Sequence, residues 1–179
     1  MLKFKSLIFV FLGLILTGCV VKNTPATFDK TKAAKARVDL ALAYLNQRNF
    51  SQAKINLDKA LNYSKNYYLP YAAMAYYHQV QGNQKQAQKF YQQAITLDNK
   101  QGDVKNNYAV FLCEQKKYPQ AYQQFEQALA TPDYYNQADT FENIALCALQ
   151  QGNGERFEQA MHSLEKVAPE RAFALKKAH

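Results

Sequence analysis

The sequence predicts an all-α protein built as a superhelical array of repeated helix pairs. The first observation is a fixed spacing, since the step from Ala53 to Ala87 equals the step from Ala87 to Ala121. The second is helical periodicity, since apolar side chains recur every three to four residues on both sides of a short turn at 116–119. The third is composition, because six Gly and five Pro are too few for the many turns of a β fold.

Two helices in each period of about 34 residues are the signature of a tetratricopeptide (TPR) array. After the third repeat the register slips, because Ala145 lies two residues later than one period beyond Ala109, and Pro132-Asp133 suits a turn between them. Four repeats satisfy the minimum of about three that such an array needs for stability. The predicted repeats and the C-terminal capping helix cover residues 34–67, 68–101, 102–137, 138–168 and 169–179.

The first residues have the anatomy of a secretory signal peptide. Lys3 and Lys5 form a short basic region, an apolar run at 7–16 follows, and Leu16-Thr17-Gly18-Cys19 resembles a bacterial lipobox. The sequence therefore divides into a lipoprotein signal peptide, a lipidated N-terminal tether and a TPR domain, at 1–18, 19–31 and 32–179.

The lipobox resemblance implies that the chain is cleaved before Cys19 and acylated on it. By the sorting rule of such lipoproteins, Asp after the cysteine retains the protein at the inner membrane. Val20 stands there, which implies a lipid anchor in the outer membrane, on its periplasmic face. The alternatives are an uncleaved membrane anchor and an ordinary signal peptide with a chance cysteine.

The two remaining cysteines, Cys113 and Cys147, form an even pair in an oxidising compartment. Both lie on the first helix of successive repeats, one period apart, so we expect a disulfide between neighbouring helices. The alternative is two small buried hydrophobic side chains.

Charge and composition exclude several classes of function. The net charge of +8 falls to +6 without Lys3 and Lys5, and a periplasmic protein is not expected to bind nucleic acid. The excess lysines indicate a solvated face or attraction to anionic lipid or an acidic partner. The three histidines are scattered and no catalytic motif is present, so we expect a non-enzymatic protein without cofactor or metal.

Two stretches of the third and fourth repeats carry a family resemblance: NNYAVFLCEQKKY at 106–118 and FENIALCALQ at 141–150. They resemble the type IV pilus biogenesis and stability lipoproteins, often called pilotins, and with the lipobox the resemblance covers about 16–169. It implies an outer-membrane TPR lipoprotein that binds the secretin, the ring-shaped outer-membrane pore, or another pilus assembly protein. It also implies a role in secretin localisation, multimerisation and pilus stability. The family often carries six repeats, whereas this chain has four and a cap.

The partner is expected to bind as a helix or extended segment in the concave groove formed by the first helices of the repeats. Tyr76, Gln79 and Asn106 combine an aromatic anchor with hydrogen-bond donors, so contact is expected there first. The alternative is that residues such as Leu42 and Tyr76 pack between repeats. By TPR register the groove-facing positions are Val38, Leu42, Leu45, Leu69, Ala72, Tyr76, Gln79, Asn106, Val110, Asp139, Glu142 and Leu146.

Asn107 and Asn143 occupy one repeat position and are expected to bond backbone at the helix interface rather than a ligand. A second hypothesis is a periplasmic TPR scaffold for other envelope or cell-wall assembly machinery. Pilus genes nearby would favour the pilotin interpretation over the scaffold.

Overall fold

The computed structural model describes residues 28–178, which form nine α-helices and no strand. This confirms the all-α prediction. The predicted signal peptide and the predicted acylation site Cys19 lie outside the described residues, as does His179. The helices are α1 (Lys30–Asn46), α2 (Phe50–Tyr63), α3 (Tyr68–Val80), α4 (Gln84–Leu97), α5 (Gly102–Glu114), α6 (Tyr118–Leu129), α7 (Gln137–Gln151), α8 (Gly154–Val167) and α9 (Pro169–Ala178).

The first eight helices form four antiparallel pairs, and each pair packs on the next. The alanines that define the sequence period lie where paired helices meet, and Ala53, Ala87 and Ala121 are fully buried. A methyl side chain lets two helix backbones approach closely, so the repeating alanines determine the close pairing. α1 begins at Lys30, two residues before the predicted start of the domain, because the Asp29 carboxylate caps its first turn.

The turn inside each pair has one backbone geometry. In each turn one residue has a backbone conformation in the left-handed region. The φ angle is 57° at Arg48, 74° at Gly82, 58° at Lys116 and 75° at Gly152. The next residue donates its N–H to the carbonyl five positions earlier, over 2.8–2.9 Å in all four turns. This closes each first helix with the same C-terminal cap and turns the chain back into an antiparallel partner.

The core lies along the array as three clusters of buried side chains. Its centre is an aromatic group in which the Tyr91 ring lies 5.4 Å from that of Tyr108 and 5.7 Å from that of Phe111. Separate buried clusters hold the first pair to the second and the last pair to α9. In the last of these, α9 buries Ala172 and Leu175 against its neighbours, as a capping helix does.

The segment between α6 and α7 contains the predicted insertion. Tyr134 folds back over the first residue of α5, where a Cβ added to Gly102 would lie 2.5 Å from the ring. The Tyr134 hydroxyl is 2.8 Å from the Thr140 hydroxyl on α7. The insertion therefore links α5 to α7. Within residues 28–178 no helix has the length and apolar character that a membrane span requires.

Candidate partner-binding groove

The first helices of the four pairs line a concave groove of about 460 Å³. One residue of α4 completes its floor. Most of the side chains that face it are apolar or carry an amide. The lining residues are Val38, Leu42, Leu69, Ala72, Ala73, Tyr76, Gln79, Tyr91, Asn107, Val110 and Asn143.

Seven of the twelve positions that the TPR register predicts to face the groove line it, including two of the three preferred contact residues, Tyr76 and Gln79. The seven are Val38, Leu42, Leu69, Ala72, Tyr76, Gln79 and Val110. Tyr76 is 40% exposed, so its ring is available for contact rather than buried between repeats. Val110 lies two turns along α5 from Gly102 and faces the middle of the groove. The structure thus brings together an aliphatic wall from α1, an aromatic ring and an amide from α3, and an apolar side chain from α5.

Leu45 and Asn106 are placed differently from the prediction. Leu45 is only 6% exposed and packs in the core between α1, α2 and α3. Asn106 is also buried, and its Oδ1 accepts a hydrogen bond of 3.2 Å from Nδ2 of Asn143. Both residues sit on the edge of the stripe that faces the neighbouring helices, so packing removes them from the groove surface.

Glu142 and Leu146 lie toward the C-terminal end of the array and outside the main groove. Arg171 of α9 bonds both Glu142 and Asp139, with Nε 2.8 Å from the Glu142 carboxylate and Nη1 2.6 Å from that of Asp139. Leu146 lines a smaller recess of about 110 Å³ beside Val110 and Glu114. The chain's own capping helix therefore holds the acidic end of the groove face.

A chain of hydrogen bonds under the groove was not predicted. The buried Tyr91 hydroxyl donates to Oε1 of Gln79 over 2.7 Å, and Nε2 of Gln79 donates to the Glu114 carboxylate over 2.8 Å. These two hydrogen bonds fix the orientation of the Gln79 amide. The second hydrogen on Nε2 takes no part in either bond. Tyr91 lies on α4, the second helix of its pair, whereas the TPR register assigns groove positions to the first helices.

Burial at the edge of the groove changes the ionisation of Glu114. It raises the pKa of the Glu114 carboxyl above the ordinary value of 4.5, and the hydrogen bond from Gln79 partly offsets the rise. Burial also raises the pKa of the Tyr91 hydroxyl, with Glu114 as a secondary cause, so Tyr91 remains a donor. The Glu114 carboxylate favours a cationic or N–H group on a bound partner, because a carboxylate accepts charge-assisted hydrogen bonds from such donors.

Asn107 and Asn143 do not follow their predicted role. Both side chains line the groove, and among the described residues neither makes a side-chain bond to backbone. Asn143 instead bonds the side chain of Asn106. The signal for Asn107 was its position three residues before Val110, on the same helix face.

Cys113 and Cys147 form a disulfide between α5 and α7, with their Cα atoms 5.9 Å apart. Both side chains are buried. The bond lies beneath the smaller recess that Leu146 lines, so it ties together the two helices that carry the C-terminal half of the groove. Among residues 28–178 no group of His, Cys, Asp or Glu is placed to hold a metal ion.

Two relatives of known sequence are similar to this chain. An uncharacterized protein of Haemophilus influenzae is 49% identical over 168 residues, covering 94% of this chain and 93% of its own length. The type IV pilus assembly protein PilF of Pseudomonas aeruginosa is 37% identical over 149 residues, covering 81% of this chain but 59% of its own. No protein-family model matches the chain.

Solved structures agree with the fold. The structure of P. aeruginosa PilF superposes with a TM-score of 0.73 at 31% identity, covering 78% of this chain and 63% of that one. The TPR protein YrrB superposes with a TM-score of 0.63 at 19% identity, covering 81% and 75%, which speaks for the fold alone. The chain is a TPR protein of the same family as the Haemophilus protein, and it is related to PilF. It spans about three fifths of the length of PilF.

Proposed function

We propose that this protein is an outer-membrane TPR lipoprotein of type IV pilus biogenesis, which binds the secretin and promotes its localisation and multimerisation. The relationship to PilF, a type IV pilus assembly protein, carries the pilus assignment. The lipobox ending at Cys19 supports the membrane anchor, and the acyl chains would hold the array beneath the outer membrane. Binding rather than chemistry is the proposed activity.

The groove supports a partner segment that is amphipathic. Leu42, Leu69 and Tyr76 offer an apolar wall at the N-terminal end. Gln79 and Asn107 offer amides in the middle, and Glu114 lies at the far edge beside Val110. An amphipathic helix or an extended segment fits this order of surfaces, because its apolar side chains and its polar groups meet complementary partners.

A second candidate function is a periplasmic scaffold for other envelope or cell-wall assembly machinery. Its support is the fold, since the TPR protein YrrB, which has a peptide-binding site, shares the same helical array and a TPR fold does not by itself restrict the partner to pilus components.

The deciding experiment is the state of the secretin in cells that lack this protein. Membranes are fractionated, and heat-stable multimers and monomers are compared on a gel. Loss of multimers, or their shift to the inner membrane, is the expected result. Normal secretin assembly would reject the pilotin role and favour the scaffold.

Groove variants test the site in the same cells. Leu42→Ala with Tyr76→Ala removes the apolar wall and is expected to reproduce the deletion. The control is Ile55→Ala with Leu97→Ala, two apolar side chains on the second helices α2 and α4 whose exposure is close to that of Tyr76. Equal activity of both double variants would exclude the groove as the binding site even if the deletion shows a secretin defect.

A further inference from the structure

The net charge of the described chain lies on its first helix pair. Residues 28–67 hold eight Lys or Arg and three Asp, a net of +5. Residues 68–178 hold eleven Lys or Arg and eleven Asp or Glu and are neutral. An array that is charged at one end and neutral elsewhere favours one orientation in the field of a charged surface.

Within this pair the cations gather at one end. α1 and α2 are antiparallel, so the first turns of α1 lie beside the last turn of α2, and the Phe28 ring lies 5.5 Å from that of Tyr63. This end, which we name the basic end, carries exposed cations beside three carboxylates, namely Asp29, the Asp39 that is paired with Lys35 and the Asp58 that is paired with Lys54. Its cations are Lys30, Lys32, Lys35, Lys59 and Lys65.

Most of this charge is not neutralised inside the protein. Lys35 is paired with Asp39 at 2.7 Å, and Lys32 lies 3.6 Å from Asp29 with 86% of its side chain exposed. Among the described residues, Lys30, Lys59 and Lys65 take part in no ion pair. The end therefore presents at least three free ammonium groups to solvent.

The basic end is also where the chain arrives from its N-terminal segment. Cys19 and Phe28 are nine residues apart, so a fully extended connection spans about 30 Å at most. Phe28 is 65% exposed. An exposed aromatic ring among lysines is typical of surfaces that lie in the headgroup region of a bilayer, where lysines meet phosphate and the ring meets the acyl boundary.

We propose that the basic end of the first helix pair docks on the headgroups of anionic phospholipids and so holds the array in one orientation against the membrane. The cations bind lipid phosphates and Phe28 enters the interface. The groove, which begins on α1 and runs to α7, then extends away from the membrane toward a partner. The docking needs no pilus component, so it stands or falls separately from secretin binding.

The test measures the distance of two sites from the bilayer. The full-length processed protein is reconstituted into vesicles of phosphatidylcholine alone or with one third phosphatidylglycerol, both containing a headgroup-labelled quencher lipid. A fluorophore is attached at Asn62→Cys, one turn from Lys59, or at His162→Cys on α8, while Cys113 and Cys147 stay in their disulfide. Flotation reports whether the protein joins each vesicle.

Quenching of the Asn62 site is expected to be at least about twofold greater on anionic vesicles, because each basic residue near such a surface contributes about a fivefold preference. The gain should vanish at 1 M salt, where the Debye length is about 3 Å. The His162 site should respond equally to both lipids. Equal quenching of the Asn62 site on neutral and anionic vesicles would overturn the proposal. It would also be overturned if the fluorescence at Asn62 changed only when an acidic protein was added and not with anionic lipid.

Two charge variants separate docking from net charge. The set Lys30→Gln, Lys32→Gln, Lys59→Gln and Lys65→Gln should abolish the lipid dependence. The control set Lys85→Gln, Lys89→Gln, Lys100→Gln and Lys116→Gln removes the same charge from the second and third pairs and should preserve it. An equal loss in both sets would overturn the proposal. If the protein carries no acyl chain, it should float with anionic vesicles alone, which supports docking and rejects the anchor.

Discussion

The first two helix pairs and the last two are built on the same repeat, yet they present different surfaces. On the first two pairs, the partly buried Leu42 and the exposed Tyr76 line the groove, and packing alone joins α1 to α3. On the last two, a disulfide joins α5 to α7, and Arg171 joins α7 to α9. A shared repeat therefore determines where a side chain points, and contacts between repeats determine whether it stays available.

The two halves therefore differ in how their helices are held together. The C-terminal half is tied by a disulfide and by the ion pairs of Arg171. The N-terminal half carries the open apolar wall and the basic end, both suited to contact with other molecules. Substitutions that remove contacts in the C-terminal half, and substitutions at equivalent turns of both halves, test whether the two halves differ in stability.

The largest effect is expected from removing the disulfide. Cys113→Ala with Cys147→Ala should lower the free energy of unfolding by about 3–4 kcal/mol, since the bond joins residues 34 positions apart and closes a loop in the unfolded chain. Urea unfolding with and without reductant measures it. The double variant should be insensitive to reductant, and an unfolding midpoint equal to that of the oxidised parent would show that the two halves are equally tied.

Filling the space under the insertion should have the next largest effect. Gly102→Ala places a methyl group against the Tyr134 ring, and this overpacking is expected to cost about 1–3 kcal/mol. Gly154→Ala is the matched control, because its Cβ would meet nothing within 4 Å and its φ is not positive. Thermal unfolding of both variants decides, and equal melting temperatures would mean that Tyr134 moves freely.

Substitutions in the turns test whether the two halves change equally in stability where their backbone conformation is the same. Gly82→Ala and Gly152→Ala force an alanine into the left-handed region, at an expected cost of about 1 kcal/mol each. Arg48→Gly and Lys116→Gly relieve the same strain and should stabilise by up to about 1 kcal/mol. Urea midpoints measure all four. If the urea midpoint rose in one alanine variant and fell in the other, or did so in the two glycine variants, the local backbone conformation would not explain the change in stability.

The smallest effect is expected at Glu114 and depends on pH. Its pKa is raised in the folded protein, so ionisation costs stability as pH rises above the ordinary value of 4.5. Glu114→Gln should stabilise the protein at pH 7 by less than about 1 kcal/mol, because solvent at the groove edge screens the charge. At pH 3 to 4 the gain should disappear.

Chemical unfolding across this pH range provides the measurement for Glu114. Glu158→Gln, which changes an exposed carboxylate outside the groove, is the control. A gain that persists undiminished at acidic pH would contradict a charge effect and indicate a packing effect instead.

The helix pairs and the inward face of each first helix could be predicted because they follow from local periodicity. Apolar side chains recur at helical spacing, small alanines recur once in every repeat, and the same arithmetic puts Cys113 and Cys147 one period apart. The placement of Tyr76 and Val110 in the groove follows from that periodicity as well.

The availability of individual side chains could not be predicted in the same way. Leu45 and Asn106 share the stripe of Leu42, but neighbouring helices cover them. Glu142 occupies a groove-facing position in the TPR register, but Arg171, 29 residues later in the chain, binds its carboxylate. Neither contact is visible in the repeat spacing of the sequence.

The sequence by itself determined the helical array, its pairing and the face that lines the groove, because these depend on interactions within one or two turns and on a repeated spacing. The tertiary structure alone decided which groove positions stay open and how Tyr91, Gln79 and Glu114 join beneath them. It also decided that Tyr134 packs on Gly102. These contacts join separate helices, and their energies depend on distances that only the folded chain sets.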